Sequence, residues 1–223
     1  MQMHKDEKLW DKVYDEFRGE RSSVWRETAT PFFTQKAEYL RHLGLRKILD
    51  AGCGDGRNIL AFAKYGFNAT GTDISGLALK KAEELCRNYP NAEFKKEPLE
   101  KPSFKRESFD VIVCDFVTAH LKEIELITNN FHKLLKKNGY LLIEFTSYKD
   151  PHCGKGKKIG EREFLQKGFY LRFYTINQIE KIMGKFRILC IDSISYTDPG
   201  HGTGYNRKKR HQHHSYFVFA QKN

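Results

Sequence analysis

The stretch Lys47-Ile-Leu-Asp-Ala-Gly-Cys-Gly-Asp-Gly-Arg-Asn58 constrains this chain most. A short apolar run stops at three glycines on alternate positions, Gly52, Gly54 and Gly56, and Ile59-Leu60-Ala61-Phe62-Ala63 then opens a helix. Strand, glycine turn and helix in that order let backbone approach a ligand without interference from Cβ atoms. About twenty residues past the first glycine, Gly71-Thr72-Asp73-Ile74-Ser75 closes a second β-like run with a carboxylate. An acid on the tip of the neighbouring strand is placed to accept the hydroxyls of a ribose.

Glycine spacing separates two cofactor classes that use this geometry. Dinucleotide folds need G-x-G-x-x-G/A, whose third small residue allows close helix–strand packing. Here the pattern is G-x-G-x-G, Arg57 fills the slot that should be small, and Asp50 precedes the turn. That pattern resembles motif I of the class I S-adenosylmethionine-dependent methyltransferases. The resemblance is strongest over residues 46–146. Within it, Gly54-Asp-Gly-Arg-Asn58 with Gly71-Thr-Asp-Ile-Ser75 is similar to the small-molecule, tellurite-resistance-like (type 11) group.

The resemblance implies an α/β fold: a Rossmann-like, seven-stranded sheet with helices on both faces and an antiparallel last strand. It implies an N-terminal helical lid over residues 1–45, a catalytic domain over 46–223, and substrate-side loops at 147–172 and 197–214. It implies S-adenosylmethionine as cofactor, S-adenosylhomocysteine as product, and no metal. By the same resemblance Asp73 holds the ribose with Ile74 beside it, and the backbone from Gly52 through Cys53 and Gly54 to Gly56 approaches the methionine part. Asp50 orients that part, and Asn58 stands at the start of the following helix. Glu97, Pro98 and Leu99 take the adenine position, although the family's usual acid there is Asp. Asp115, Phe116 and Val117, which end the strand Phe109–Cys114, flank the cofactor.

Methyl transfer from a sulfonium is an in-line displacement, so positioning the acceptor is the protein's main task. A hydroxyl or ammonium acceptor also needs a general base. His120 is the best-located candidate, as base or as a buttress of its loop, and Tyr148 and His201 are further catalytic candidates. Trp10, Tyr14 and Trp25 read either as lid residues or as aromatics packed on a sheet edge. His201, His211, His213 and His214 lack firm ligand spacing, so they read as a solvated polar approach to the last strand, with a metal as the alternative.

The composition narrows the setting. No window approaches 18 consecutive apolar residues, so no membrane span is expected. The first residues have no apolar signal core, and five scattered cysteines without C-x-x-C spacing point to a reduced, cytoplasmic setting. A formal charge of +11 favours anionic surroundings. Much of it sits in Lys155-Gly-Lys-Lys158 and Arg207-Lys-Lys-Arg210. Those runs favour a small polar or anionic metabolite drawn to the site. They also leave nucleic acid open, as an RNA or protein methyltransferase with phosphate contacts. A nicotinamide-dependent oxidoreductase or a non-catalytic scaffold is the third reading, disfavoured by the glycine spacing.

Along the chain, the patterns predict helices near 4–19 and 32–43, with strands and helices alternating from 46 to 146. The glycine-rich, basic segment 147–168 reads as a mobile insertion. A short strand near 169–173, a helix capped by Thr175, a strand over 186–196 and a last strand over 216–220 follow.

Overall fold

A computed structural model describes residues 2–16 (side chains from Asp6), 24–25, 28–200 and 210–223. Helix α1 (Gln2–Glu16) comes first, and α2 (Pro31–His42) opens at a proline, whose missing N–H costs nothing in the first helical turn. Strand β1 (Lys47–Ala51) is buried along almost its whole length, as a central parallel strand covered on both faces should be. Helix α3 (Arg57–Lys64), β2 (Asn68–Asp73), α4 (Gly76–Leu85) and β3 (Ala92–Lys96) continue the right-handed alternation. Strand β4 (Phe109–Cys114), a 3₁₀ turn over Thr118–His120, α5 (Ile124–Leu134) and β5 (Leu135–Thr146) complete the parallel half.

After β5 come β6 (Lys157–Gly160), β7 (Glu163–Gln166), β8 (Phe169–Arg172), α6 (Ile176–Ile182), β9 (Phe186–Asp198) and β10 (His211–Lys222). Seven strands form one sheet in the order β3-β2-β1-β4-β5-β10-β9, with β10 antiparallel to both β5 and β9. The period-2 alternation of side chains sorts the core into two layers. Leu49, Ile112, Ile143 and Val218 face α5 and α6, and Ile48, Val111, Val113 and Phe217 face α2 and α3.

Three features depart from the sequence reading. The segment 147–168, read as a mobile insertion, contains β6 and β7, which pair with β8, the short strand expected near 169–173, in a small antiparallel sheet. Phe164, Leu171 and Phe173 bury against Ala119 there, an apolar set large enough to order the hairpins. The last strand begins at His211 rather than Tyr216, because it pairs with β9 over its full length. The third glycine also differs in its work. A Cβ on Gly56 (φ 87°) would stand 2.8 Å from Ala82 Cβ and 3.0 Å from its Cα, so Gly56 lets α3 and α4 close on one another.

Candidate active site

One cavity of about 540 Å³ opens at the carboxyl ends of β1, β2 and β4, where a doubly wound sheet leaves its crevice. Gly52, Cys53 and Gly54 form part of its wall, with Asp73 and Ile74 at the tip of β2. Glu97, Leu99, Asp115, Phe116, Val117 and His120 continue the lining. Gly52 (φ 79°) admits no side chain, since a Cβ there would stand 2.5 Å from Val117 Cγ2. Asp73 accepts hydrogen bonds from the Gly54 N–H at 2.9 Å and the Ser75 N–H at 2.8 Å, so its carboxylate pins the glycine turn to the next helix. Burial pushes the Asp73 carboxyl up, against those backbone donors.

Asp50 lies buried on β1 and does not line the cavity. Neither of its carboxylate oxygens has a hydrogen-bond partner among the described residues. Burial, aided by the negative charge of Asp115, pushes the Asp50 carboxyl up to about 8. Asp115 itself is tied down by Arg57 Nη2 at 2.7 Å, Thr30 Oγ1 at 2.8 Å and Asn58 Nδ2 at 3.1 Å. No sequence spacing links Arg57 to Asp115, and the pairing arises because α3 starts beside the end of β4.

Helix α1 roofs the cavity with Asp6, Trp10 and Tyr14. Trp10 meets His120 edge-on at 4.9 Å between ring centroids and Phe169 at 5.0 Å. Trp25 Nε1 donates to Tyr14 Oη at 3.2 Å. Burial, with Asp55 and Asp73 close by, holds the Tyr14 phenol well above its usual range. His120 donates through Nδ1 to the Tyr170 carbonyl at 3.0 Å, so a neutral ring carries its lone pair on Nε2.

Other sequence candidates fall elsewhere. Tyr148 is exposed and outside the cavity lining, Pro98 and Gly56 stand back from it, and His201 and Arg207–Lys209 lie outside the described residues. Lys155, Lys157 and Lys158 are exposed and do not line the cavity. Carboxylates instead outnumber the two cationic lining residues, Arg57 and Lys122. Asp150, Asp198 and His213 stand on the wall, within the two substrate-side segments the sequence indicates, whereas Tyr196, also on the wall, carries no substrate-side signal of its own.

Residues 49–143 match a family described as a methyltransferase domain (Methyltransf_11). The order of the seven strands, with an antiparallel last strand, is that of the class I methyltransferase fold. The ubiquinone biosynthesis O-methyltransferase of Rickettsia akari is 33% identical over 108 residues, 48% of this chain and 43% of the relative. A demethylmenaquinone methyltransferase of Chlorobaculum parvum is 29% identical over 166 residues, 74% of this chain and 61% of the relative. Among solved structures, a SAM-dependent methyltransferase of Methanosarcina mazei shares the fold, with a TM-score of 0.67 at 24% identity over 87% of this chain and 98% of that one. The chain spans about half the length of the curated relatives it matches first. No described helix is long and apolar enough to cross a membrane.

S-adenosylmethionine is the cofactor implied for the methyltransferase domain, and the residues present fit it. A buried carboxylate at Asp50, without a hydrogen-bond partner among the described residues, suits a cationic group nearby. The glycine turn leaves a cradle where any side chain would intrude, and Asn58 Oδ1 and Asp115 Oδ1 are buried without partners among the described residues.

Proposed function

We propose that this chain is an S-adenosylmethionine-dependent methyltransferase acting on a small polar or anionic metabolite, with α1 as the lid of its cavity. The observation that carries this reading is the combination of Asp73 at the strand tip and the buried carboxylate of Asp50, on either side of the glycine turn. When bound, the cofactor supplies a methyl group on a sulfonium, already joined to a good leaving group.

In this reading Asp73 takes the ribose hydroxyls, and the backbone at Gly52 and Gly54 borders the methionine part. Asp50 offsets the ammonium charge. Glu97 and Leu99 hold the adenine, with Phe116 and Val117 beside it. Trp10 and its neighbours keep water from the reacting atoms. His120 receives the acceptor's proton on Nε2.

The walls favour an acceptor with a flat apolar part and an oxygen to methylate. Trp10, Phe169 and Tyr170 supply aromatic surface next to His120. The relatives named for ubiquinone biosynthesis and demethylmenaquinone support an acceptor of that kind. An RNA acceptor draws no support from the lining, because α1 covers the cavity and the exposed lysines of β6 stand away from it.

Calorimetry with S-adenosylhomocysteine and NAD tests the reading. S-adenosylhomocysteine should bind, and Asp73→Ala should weaken it at least about tenfold, since two charge-assisted backbone contacts go with the carboxylate. Binding of NAD alone, or an unchanged dissociation constant in Asp73→Ala, would sink it.

A further inference from the structure

On the wall of the cavity, three segments converge. Asp150 and His152 follow β5, Asp198 ends β9, and His211 and His213 begin β10. Antiparallel register sets His211 opposite Asp198 and His213 opposite Tyr196, and alternation turns His211 and His213 to one face. Their rings are 4.8 Å apart, and Tyr196 stacks on His213 at 5.4 Å.

Asp150, only 3% exposed, accepts from His213 Nδ1 at 2.8 Å through one oxygen and from His152 Nδ1 at 3.0 Å through the other. The backbone N–H groups of His152, at 2.8 Å, and His214, at 3.1 Å, add two further donors. These contacts leave His213 with Nε2 turned to Asp198, 3.6 Å from its Oδ2. One ligand atom from each of Asp198, His211 and His213 fits within 4.8 Å of the others.

We propose that Asp198, His211 and His213 bind a divalent first-row transition metal such as zinc, with Asp150 as the carboxylate that orients His213. Distances decide between the two overlapping sets. Ligands bound at about 2.0–2.2 Å in a tetrahedron sit roughly 3.3–3.6 Å from one another. The His213–Asp198 separation matches that edge, whereas 2.8 and 3.0 Å to Asp150 are hydrogen-bond lengths. A carboxylate on Nδ1 with Nε2 facing outward is the arrangement that fixes a ligating imidazole. Two imidazoles and one carboxylate suit zinc, iron or cobalt and leave a position open.

Asp198 and His213 both line the cavity, so that position faces the acceptor. In a cavity rich in carboxylates, a metal there supplies the positive charge an anionic oxygen needs. This last role rests on the methyltransferase reading, but metal binding itself does not.

The test uses untagged, chelator-stripped chain titrated with zinc by calorimetry and with cobalt(II) by visible absorption. One equivalent should bind, and cobalt should show the intense bands of a low-coordinate site. His211→Gln and Asp198→Asn, which leave the Asp150 hydrogen bonds in place, should each weaken zinc at least about tenfold, and Asp150→Asn about 10–100-fold. Matched thermal unfolding of the metal-free variants shows that they are folded. No zinc uptake by the wild type, or wild-type affinity in both ligand variants, overturns the site. A parallel titration with S-adenosylhomocysteine keeps the two readings apart: its failure beside intact zinc binding removes the methyltransferase reading alone.

Discussion

Asp11 on α1 accepts a hydrogen bond from Ser75 Oγ at 2.6 Å, and Ser75 is the residue that caps α4. The same Asp11 oxygen accepts from the Leu77 N–H at 3.3 Å. A carboxylate at a helix N-terminus is favoured by the helix dipole, so this contact fastens α1, which carries Trp10 and Tyr14 over the cavity, to the start of α4. Asp11→Ala should cost about 1 kcal/mol, as lost caps do, and the loss should be local. Hydrogen exchange should speed up in α1 while β1 and β4 keep their protection. Equal acceleration throughout the sheet would contradict the assignment.

Asp50 gives a proton-linkage prediction. Its carboxyl is pushed up to about 8, first by burial and then by Asp115, so at pH 7 it is mostly protonated in the free protein. A cationic ligand above it favours the ionised form and lowers that value. Binding of S-adenosylhomocysteine, whose ammonium is retained, should therefore release a proton near pH 7. Binding enthalpies measured in buffers of different ionisation enthalpy should differ accordingly. Asp50→Asn should abolish the difference, and a wild type with no buffer dependence would refute the placement.

The glycines should part company on substitution. Gly56→Ala forces a Cβ against Ala82 backbone at a φ of 87°, where nothing can yield cheaply. Overpacking and left-handed strain together should cost about 2–4 kcal/mol, read as a lower melting temperature. Gly54→Ala (φ 54°) meets only the phenol end of Tyr14, at 2.6 Å, which can rotate away. Its main effect should be on cofactor affinity and on the exchange of α1. Equal melting temperatures for the two variants would contradict this division.

Glu144, fully buried on β5, accepts from Ser215 Oγ at 2.6 Å and Thr146 Oγ1 at 3.0 Å. Burial raises its carboxyl to about 8 despite those donors. The folded state therefore holds this proton where the unfolded chain has lost it. Its stabilising effect is complete below the unfolded value, near 4.5, and fades as pH rises through about 8. At about 1.4 kcal/mol per pKa unit the change is of order a few kcal/mol. Glu144→Gln should flatten denaturant stability between pH 5 and 8, and an unchanged slope would count against it.

Elements with a local cause were readable from sequence. The β1–α3 turn declares itself in Gly52, Gly54 and Gly56, the cap of α6 in Thr175, and β4 in its apolar run. Parallel strands buried on both faces carry unbroken hydrophobic signals, and these make the class I sheet legible. What escaped depends on long-range register. Phe164, Leu171 and Phe173 are too sparse to announce a sheet until Ala119 stands beneath them. The Arg57–Asp115 pair joins residues 58 apart, and Asp150 reaches His213 across 63. The only sequence trace of that histidine cluster was the alternation of His211 and His213. Its meaning needed Asp198 on the partner strand.

The position of β10 has a consequence for biosynthesis. Residues 211–222 fill an interior lane between β5 and β9 rather than an edge. Until they leave the ribosome, β5 presents an open ladder of apolar residues, and β9 has no neighbour on the side it will share. The nascent chain thus passes through an interval with an unpaired β5, the glycine turn already made and the wall bearing His211 and His213 still to come.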